Sequence, residues 1–507
     1  MYSTKSVMKI KALTNSLYFI IFTNSLIAQT QGIAYTAVGK GVSTTFVTDY
    51  HCLGINSSAL GWGTGYEDKR CTMGSSEFGF GMYSDALTSD KLKNLYKSIK
   101  DNVSGKSSSQ ADLNAQKLAA ADYAQAGVSI FLDYNWAGFA FQNKKFGGIA
   151  FNIRESYSYY SKFNQQLTDL IFRGSTASLF DSLTIVMGAD TSLIANRPDI
   201  SQDSLSNVVL GTLSVPLHLN ELTMGSEVKM VWNRSYNFGY GRKIFGKEDK
   251  FELFGGVGGR YIQSMAMFNL ESNVAGLTMY SSITPSFNIN YGSIASSNPS
   301  NFSGGSGIIP KSVGDGYGVD FSASVLILKK LRMAMSINNI GQVTYKRNVY
   351  SFKDTLFTNL SVNGLVDYNV TSSINDFLTK GGLLTLQGEE KYVLKNASDF
   401  RFGASLEVSK AIHFGFDVVA PFNKENPGSI RNAVYSFGGE FRPVKWIALS
   451  CGYFGGGVYQ NNIPVGINFI LSNGSYEVGI SSRDALTFFM KNRHSVSAAF
   501  GFARFRF

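Results

Sequence analysis

Covalent chemistry needs a nucleophile with a base beside it. The spacing in this 507-residue chain brings few such groups together. Its four histidines, His51, His218, His413 and His494, lie far apart, and no Gly-x-Ser-x-Gly run occurs. Gly39-Lys40 followed by Ser43-Thr44 has the composition of a phosphate loop. It lacks the earlier glycine at four-residue spacing, and no Ser or Thr follows Lys40 directly. Cys52, Cys71 and Cys451 form no Cys-x-x-Cys pair, and no His/Cys spacing suits a metal. Cys52 and Cys71 could bridge in an oxidising compartment or remain small buried thiols. The expectation is no catalytic residue, no metal and no cofactor. Function must then rest on how the chain is folded and on what its surfaces hold.

Composition narrows the folds. Charged residues are only 16%, against about 25% in an average soluble chain. Aromatics reach 14%, with 39 Phe and 26 Tyr, and there are 52 Gly. That aromatic content argues against disorder. No apolar stretch reaches the ~18 residues that a spanning helix needs. The formal charge of +10 comes from scattered basic residues, with no basic run interleaved with aromatics, so nucleic acid is not an expected partner. Plentiful glycine and aromatics, few charges and no long apolar run are what a transmembrane β-barrel shows.

The first 28 residues read as a signal peptide. Lys5, Lys9 and Lys11 precede the apolar Leu17–Phe22 run, and Ala28-Gln29 offers a cleavage point. The body then alternates with period two. Val319, Phe321, Ala323, Val325 and Ile327 oppose Asp320, Ser322 and Ser324. Phe400, Phe402, Ala404, Leu406 and Val408 oppose Arg401, Gly403, Ser405 and Glu407. Successive side chains on a strand point to opposite faces, so each run has one oily and one wet surface.

Short turns join these runs at Asn143-Lys144-Lys145, around Gly246–Asp249, at Lys329-Lys330, Ser409-Lys410-Ala411, Arg442–Lys445 and Asn473-Gly474. Longer stretches separate the hairpins, near residues 85–125, 160–203, 290–314, 345–398 and 455–462, with helical patterns at Ser89–Lys100, Gln110–Gln125 and Ser372–Thr379. Short turns at one end and long loops at the other is the asymmetry of outer-membrane barrels, whose strand numbers are even. The expected fold is an all-β transmembrane antiparallel barrel of about 14 strands. Its organisation would be a signal peptide at 1–28, a non-alternating plug segment at 29–75 and a barrel over 76–507. A soluble β-sandwich would explain the alternation alone.

The last residues, Val496 to Phe507, alternate and finish on two aromatics, Phe505 and Phe507. This resembles the strand that barrel-assembly machinery recognises, which makes that machinery a partner during biogenesis. Period two places Phe507, Phe505, Ala503, Gly501 and Ala499 on one face, with Arg504 and Arg506 on the other. An arginine in lipid near the midplane costs roughly 2–4 kcal/mol, so these two should face the lumen or the rim.

The segment before the alternation carries a family resemblance. Gly39, Gly41 and Asp49, followed by Asn56-Ser57-Ser58-Ala59-Leu60, resemble the N-terminal hatch of the long-chain fatty-acid transporter family of outer membranes (the FadL, OmpP1 and TodX type). That hatch has small residues, an Asp, then Asn-Pro-Ala and an apolar residue; here no proline stands after Asn56. The turn residues and the Asn338-Asn339-Ile340-Gly341 run look like Bacteroidetes-type members. The resemblance implies a 14-stranded barrel plugged from the periplasmic side, in contact with outer-membrane lipid, that takes up hydrophobic small molecules passively. Tyr157–Tyr160 and Tyr236–Tyr240 would line a pocket or form the interfacial aromatic girdle. Some relatives shuttle secreted proteins in a type IX-like route, and a barrel with no transport role is the third reading. Uptake predicts a continuous apolar pocket or a lateral opening, and a lumen crossed by charged side chains with no apolar pocket counts against it.

Overall fold

The structure is a computed structural model. It describes residues 34–507 apart from 67, 89, 91–119, 249, 304–309, 363–384, 458–460 and 486–493. The expected signal peptide therefore lies outside the described residues, as do most of the loop helices read from sequence. Residues 120–126 of the second of these are helical.

Fourteen antiparallel strands close into a ring. They are β1 (Cys71–Tyr83), β2 (Val128–Asn143), β3 (Gly147–Lys162), β4 (Glu227–Lys247), β5 (Phe251–Asn273), β6 (Gly314–Ile327) and β7 (Leu331–Tyr345). The second half is β8 (Asp399–Ser409), β9 (Ile412–Pro421), β10 (Val434–Val444), β11 (Ile447–Gly456), β12 (Val465–Leu471), β13 (Tyr476–Ser482) and β14 (Ser495–Arg506). Each pairs with its sequence neighbours, and β14 returns to β1 from Thr72↔Arg506 to Tyr83↔Ser495. Among the described residues no helix is long and apolar enough to cross a membrane. In hydrocarbon every backbone polar group must find its partner within the chain, and closure of the ring supplies the last of them.

The two faces follow the sequence pattern. Phe321, Phe437, Phe416 and Met335 point outward and are largely exposed, while Asp320, Ser336, Arg401 and Asp417 point inward and are buried. The oily surface faces the surroundings and the wet surface fills the ring, which is a transmembrane barrel. All six short turns join consecutive strands at one end.

Bulges correct the simple alternation at three neighbouring positions. Ser76 has φ +55°, the register slips at Trp136 between β2 and β3, and it slips again between β13 and β14. Each extra residue exchanges the two faces. Ala499 and Gly501 are therefore buried inside while Phe502 is exposed outside, opposite to the period-two assignment for that part of the strand. Arg504 and Arg506 point inward, and Phe505 and Phe507 are exposed. The bulge at Ser76 also hid the start of β1. The strand opens at Cys71, not at residue 76, and the amides of Arg70 and Cys71 both donate to the Phe507 carbonyl.

The long loops carry structure that alternation did not reveal. Strands Leu356–Leu360, Val208–His218, Ser182–Met187 and Asp190–Ala195 form a separate four-stranded sheet in that order. With the Gln165–Arg173 helix it encloses a core of Leu170, Phe180, Leu183, Leu213, Leu222 and Phe357. The helix starts where Asn164 accepts the Leu167 amide at 2.7 Å. One strand of this cap lies far along the chain from the others, so no local pattern announces the sheet.

Arginine in place of Phe321, midway along β6, puts a charge on the lipid face. The expected loss is about 2–4 kcal/mol of folding free energy, read by reversible denaturant titration in lipid vesicles. An unchanged midpoint would show that this face does not meet hydrocarbon.

Candidate functional site

Residues 34–66 lie inside the ring. The first anchor is a Tyr50-His51-Glu77 cluster. Glu77, on the inner face of β1, accepts the Tyr50 hydroxyl at 2.6 Å, meets His51 Nε2 at 2.9 Å and accepts Asn135 Nδ2 at 2.9 Å. Tyr50 fits because Gly74 and Gly138 form the wall it lies on; a Cβ at either would collide with its ring. His51 Nδ1 faces Thr36 Oγ1 at 3.2 Å. Thr36, His51 and Glu77 thus stand in the connectivity of a hydrolase triad. Glu77 is shared with Tyr50 and Asn135, and none of the cavities described below is lined by Thr36, so the arrangement reads as an anchor.

The second anchor is a chain of charges. Asp49 pairs with Arg504, Arg504 with Glu477 at 2.9 Å, and Glu477 with Arg506. All four side chains are buried. Asp49 is held in a left-handed conformation (φ +53°), where its Oδ1 accepts the His51 amide at 3.1 Å. The third anchor is Asp417 on β9, whose Oδ2 accepts the amides of Ser43 at 2.6 Å and Thr44 at 2.9 Å.

The residues of the hatch-like turn come together as one unit. Asn56 begins a short 3-10 helix, Ser57–Trp62. Its Nδ2 donates to the Thr44 carbonyl at 2.8 Å, and its Oδ1 accepts the Ser58 hydroxyl at 2.6 Å. The Ser58 amide donates to Ser322 Oγ, and Ser58 Oγ meets Ser324 Oγ, both at 2.8 Å. Ser57 is buried against the bare backbone of Gly256. Ala59 and Leu60 are buried, and the Leu60 carbonyl accepts Gln142 Nε2 at 3.1 Å. Hydroxyl hydrogen bonds thus fix this turn without a proline ring. Gly39 packs against Ser450 and Gly466 of the wall with no room for a side chain, and Gly41 takes φ +73°. All three cysteines are free thiols.

Beyond the plug, towards the long loops, lies a cavity of about 80 Å³. Its lining is mixed: Phe131, Val231, Ile262, Val343 and Leu394 are apolar, and Arg154, Asn233, Arg260 and Asn339 are polar. Both arginines are paired, Arg154 to Asp133 at 2.6 Å and Arg260 to Asp320 at 2.7 Å. Arg260 Nε and Asn233 Oδ1 are buried without a hydrogen-bond partner among the described residues. The other side of the Arg260 guanidinium lies against Gly54 of the plug. Arg260 therefore touches both cavity and plug.

The tyrosine runs divide between the two expected roles. Phe238 is exposed outside, and Tyr236 stacks on Tyr261. Tyr157 contributes to the cavity wall, and Tyr160 packs inside with Val419, Ile430 and Phe454. The sequence reading missed Tyr50, Glu77, Asp417, Glu477 and Arg260 as site residues. Their signal was present: each of the four charged ones stands on the wet face of its strand.

Replacing Arg504 with Met leaves Asp49 buried without its cation. Breaking a buried pair in this way costs about 3–5 kcal/mol. The expected outcome is a barrel that keeps its heat-modifiable migration on a gel while residues 34–66 become open to protease. Pairing it with Asp49→Asn should restore part of the protection. Equal protection in wild type and Arg504→Met would remove the anchor role.

Three comparisons with known proteins bear on this fold. No curated protein matches the sequence. Solved barrels do match in structure. The toluene transporter TodX of Pseudomonas putida has 8% identity and a TM-score of 0.40, covering 95% of this chain and 99% of its own. The toluene transporter TbuX of Ralstonia pickettii has 9% identity and a TM-score of 0.44, covering 94% and 98%. A FadL homologue of Pseudomonas aeruginosa has 9% identity and a TM-score of 0.35, covering 95% and 99%. At these identities and scores the likeness says nothing about a substrate. A family model matches residues 199–473, from the cap through β12, and by that match the chain belongs to the family of unknown function DUF5723.

Proposed function

We propose that the protein is an outer-membrane barrel for passive uptake of small hydrophobic compounds that carry a polar group, with residues 34–66 as its plug. The short turns face the periplasm and the cap faces outward. The observation that carries this reading is the cavity of mixed apolar and polar lining seated on the plug. Its apolar residues suit a hydrocarbon body, since burial of apolar area recovers about 25 cal/mol per Å². Its polar residues leave Arg260 Nε and Asn233 Oδ1 without partners among the described residues, and a buried polar atom gains from a ligand that satisfies it.

This narrows the expectation of an apolar pocket. Charged pairs hold the plug, and two more, Arg154–Asp133 and Arg260–Asp320, stand at the wall of the cavity above it. An engineered apolar cavity of ~150 Å³ takes benzene, and this one is about 80 Å³, so entry must move a wall. Residues 394–397 and Pro427-Gly428 are the parts of the lining outside the fourteen barrel strands. Movement at Arg260 would be felt at Gly54, which links occupancy to the plug.

A second reading has an observation of its own. Leu193 and Val215 of the cap are each 70% exposed, as an interaction barrel that handles other proteins would require.

Native mass spectrometry of detergent-extracted protein tests the first reading. The expected result is a retained small amphipathic compound in the wild type. Arg260→Gln should bind that compound about ten-fold more weakly, the worth of a hydrogen bond to a charged group, and a deletion strain should import it more slowly. Normal import in the deletion strain, with secreted proteins co-purifying instead, would transfer the reading to the cap.

A further inference from the structure

We infer that the short-turn end of the barrel is a docking ring for anionic phospholipid headgroups. The inference rests on the barrel's outer surface and is independent of what passes through the lumen.

Four hairpins at this end place lysine beside an exposed apolar side chain. Lys144 and Lys145 adjoin Phe146, Lys329 and Lys330 follow Leu328, Lys410 lies near Val408, and Lys445 precedes Trp446. Phe146 and Leu328 are 66% and 64% exposed, and Val408 and Trp446 are about half exposed. Lys145 Nζ lies 5.7 Å from the Phe146 ring centre, and Trp446 stacks on Phe469 of β12. The apolar members continue the outward oily band to its edge. The ammonium groups stand just past that edge, at the height of lipid phosphates. Long cationic side chains near an interface hold the stem in the apolar layer and the charge in the headgroups.

Charge balance supports the assignment. Glu248 lies 3.3 Å from Lys329 and 4.0 Å from Lys144. Lys145, Lys330, Lys410 and Lys445 form no ion pair among the described residues. Carboxylates such as Asp169, Asp190, Asp203 and Glu390 sit at the opposite, long-loop end. The ring therefore carries surplus positive charge where the oily band stops.

One turn adds an independent sign. Leu328 and Lys329 both have positive φ, +51° and +58°. Tight hairpins usually give such positions to Asn or Gly, which adopt them with little strain. An exposed leucine and a lysine stand there in spite of the strain, which points to a use for the Leu328 side chain at the edge of the oily band.

The test uses the whole protein in neutral detergent. Native mass spectrometry compares retained phosphatidylglycerol with phosphatidylcholine of the same acyl chains. Wild type is expected to retain phosphatidylglycerol preferentially, and the preference should fall as salt rises. Each cation near an anionic surface is worth about a five-fold change in partitioning. A variant with Lys144, Lys145, Lys329, Lys330, Lys410 and Lys445 changed to Gln should lose at least about ten-fold of the preference. Lys311→Gln with Lys346→Gln, at the long-loop end, should keep it. Equal retention of the two lipids by the wild type would overturn the inference. So would an unchanged preference in the six-fold variant, or displacement of phosphatidylglycerol by polyglutamate at equal charge, which would make the partner an acidic polymer. Should the six-fold variant fail to fold, the salt dependence of the wild type still decides.

Discussion

The pairing of β14 with β1 is the constraint from which the rest follows. A sheet in hydrocarbon cannot leave an edge, because each unpaired amide or carbonyl there costs several kcal/mol. Twelve or more strands of any sequence could curl, but the ring exists only if the last strand meets the first in register. That seam runs from Thr72↔Arg506 to Tyr83↔Ser495. It also bears the bulge at Ser76, and its inner face holds the groups that bind Tyr50 and Asp49. Closure and plug attachment share the same side chains.

This sharing resolves an electrostatic difficulty. Glu77, Glu477, Arg504 and Arg506 would be expensive inside a narrow, partly dehydrated ring if left alone. The plug brings Asp49, His51 and Tyr50 to them, and glycines at 74 and 138 let the tyrosine approach closely. Each buried charge then has a partner within hydrogen-bond distance. Charges also hold the plug at β9 and β10, where Asp417 accepts two plug amides and Lys40 pairs with Glu440, but against β6 it is held by the hydroxyls of Ser58, Ser322 and Ser324. Neutral hydrogen bonds are weaker than charge-assisted ones. The plug is thus fixed firmly at the seam and more lightly against β6.

Much of this was legible in the residues. The ring, its even strand number, the six turns and the inward aim of Arg504 and Arg506 all follow from period-two alternation and from the penalty for charge in lipid. The misplaced faces of Ala499 and Gly501 show where that reasoning stops. A single extra residue in the strand exchanges inside and outside, and nothing in the composition of Phe500-Gly501-Phe502 marks it. The cap sheet escaped for another reason. Its edge strand, Leu356–Leu360, pairs with residues more than a hundred positions earlier, and short strands without a membrane to face need not alternate. Within the plug, Gly39, Gly41, Asp49 and Asn56–Leu60 stood out through a family resemblance, whereas their partners on the wall were hidden among ordinary wet-face residues.

The position of Arg260 ties the fold to the proposed passage. Its guanidinium is fixed by Asp320 on the neighbouring strand, so it cannot swing freely. One side meets Gly54, which has φ +73° and no side chain to cushion the contact. The other side opens on the cavity. A ligand that accepts from Nε has to draw the guanidinium away from the plug or push it further in. Either displacement acts on the plug beside β6, where hydroxyl contacts hold it. The anchoring at the seam would remain in place meanwhile. Under the proposed function, an asymmetrically anchored plug would tilt without leaving the barrel and let a small solute past while the ring stays closed to ions on the charged side.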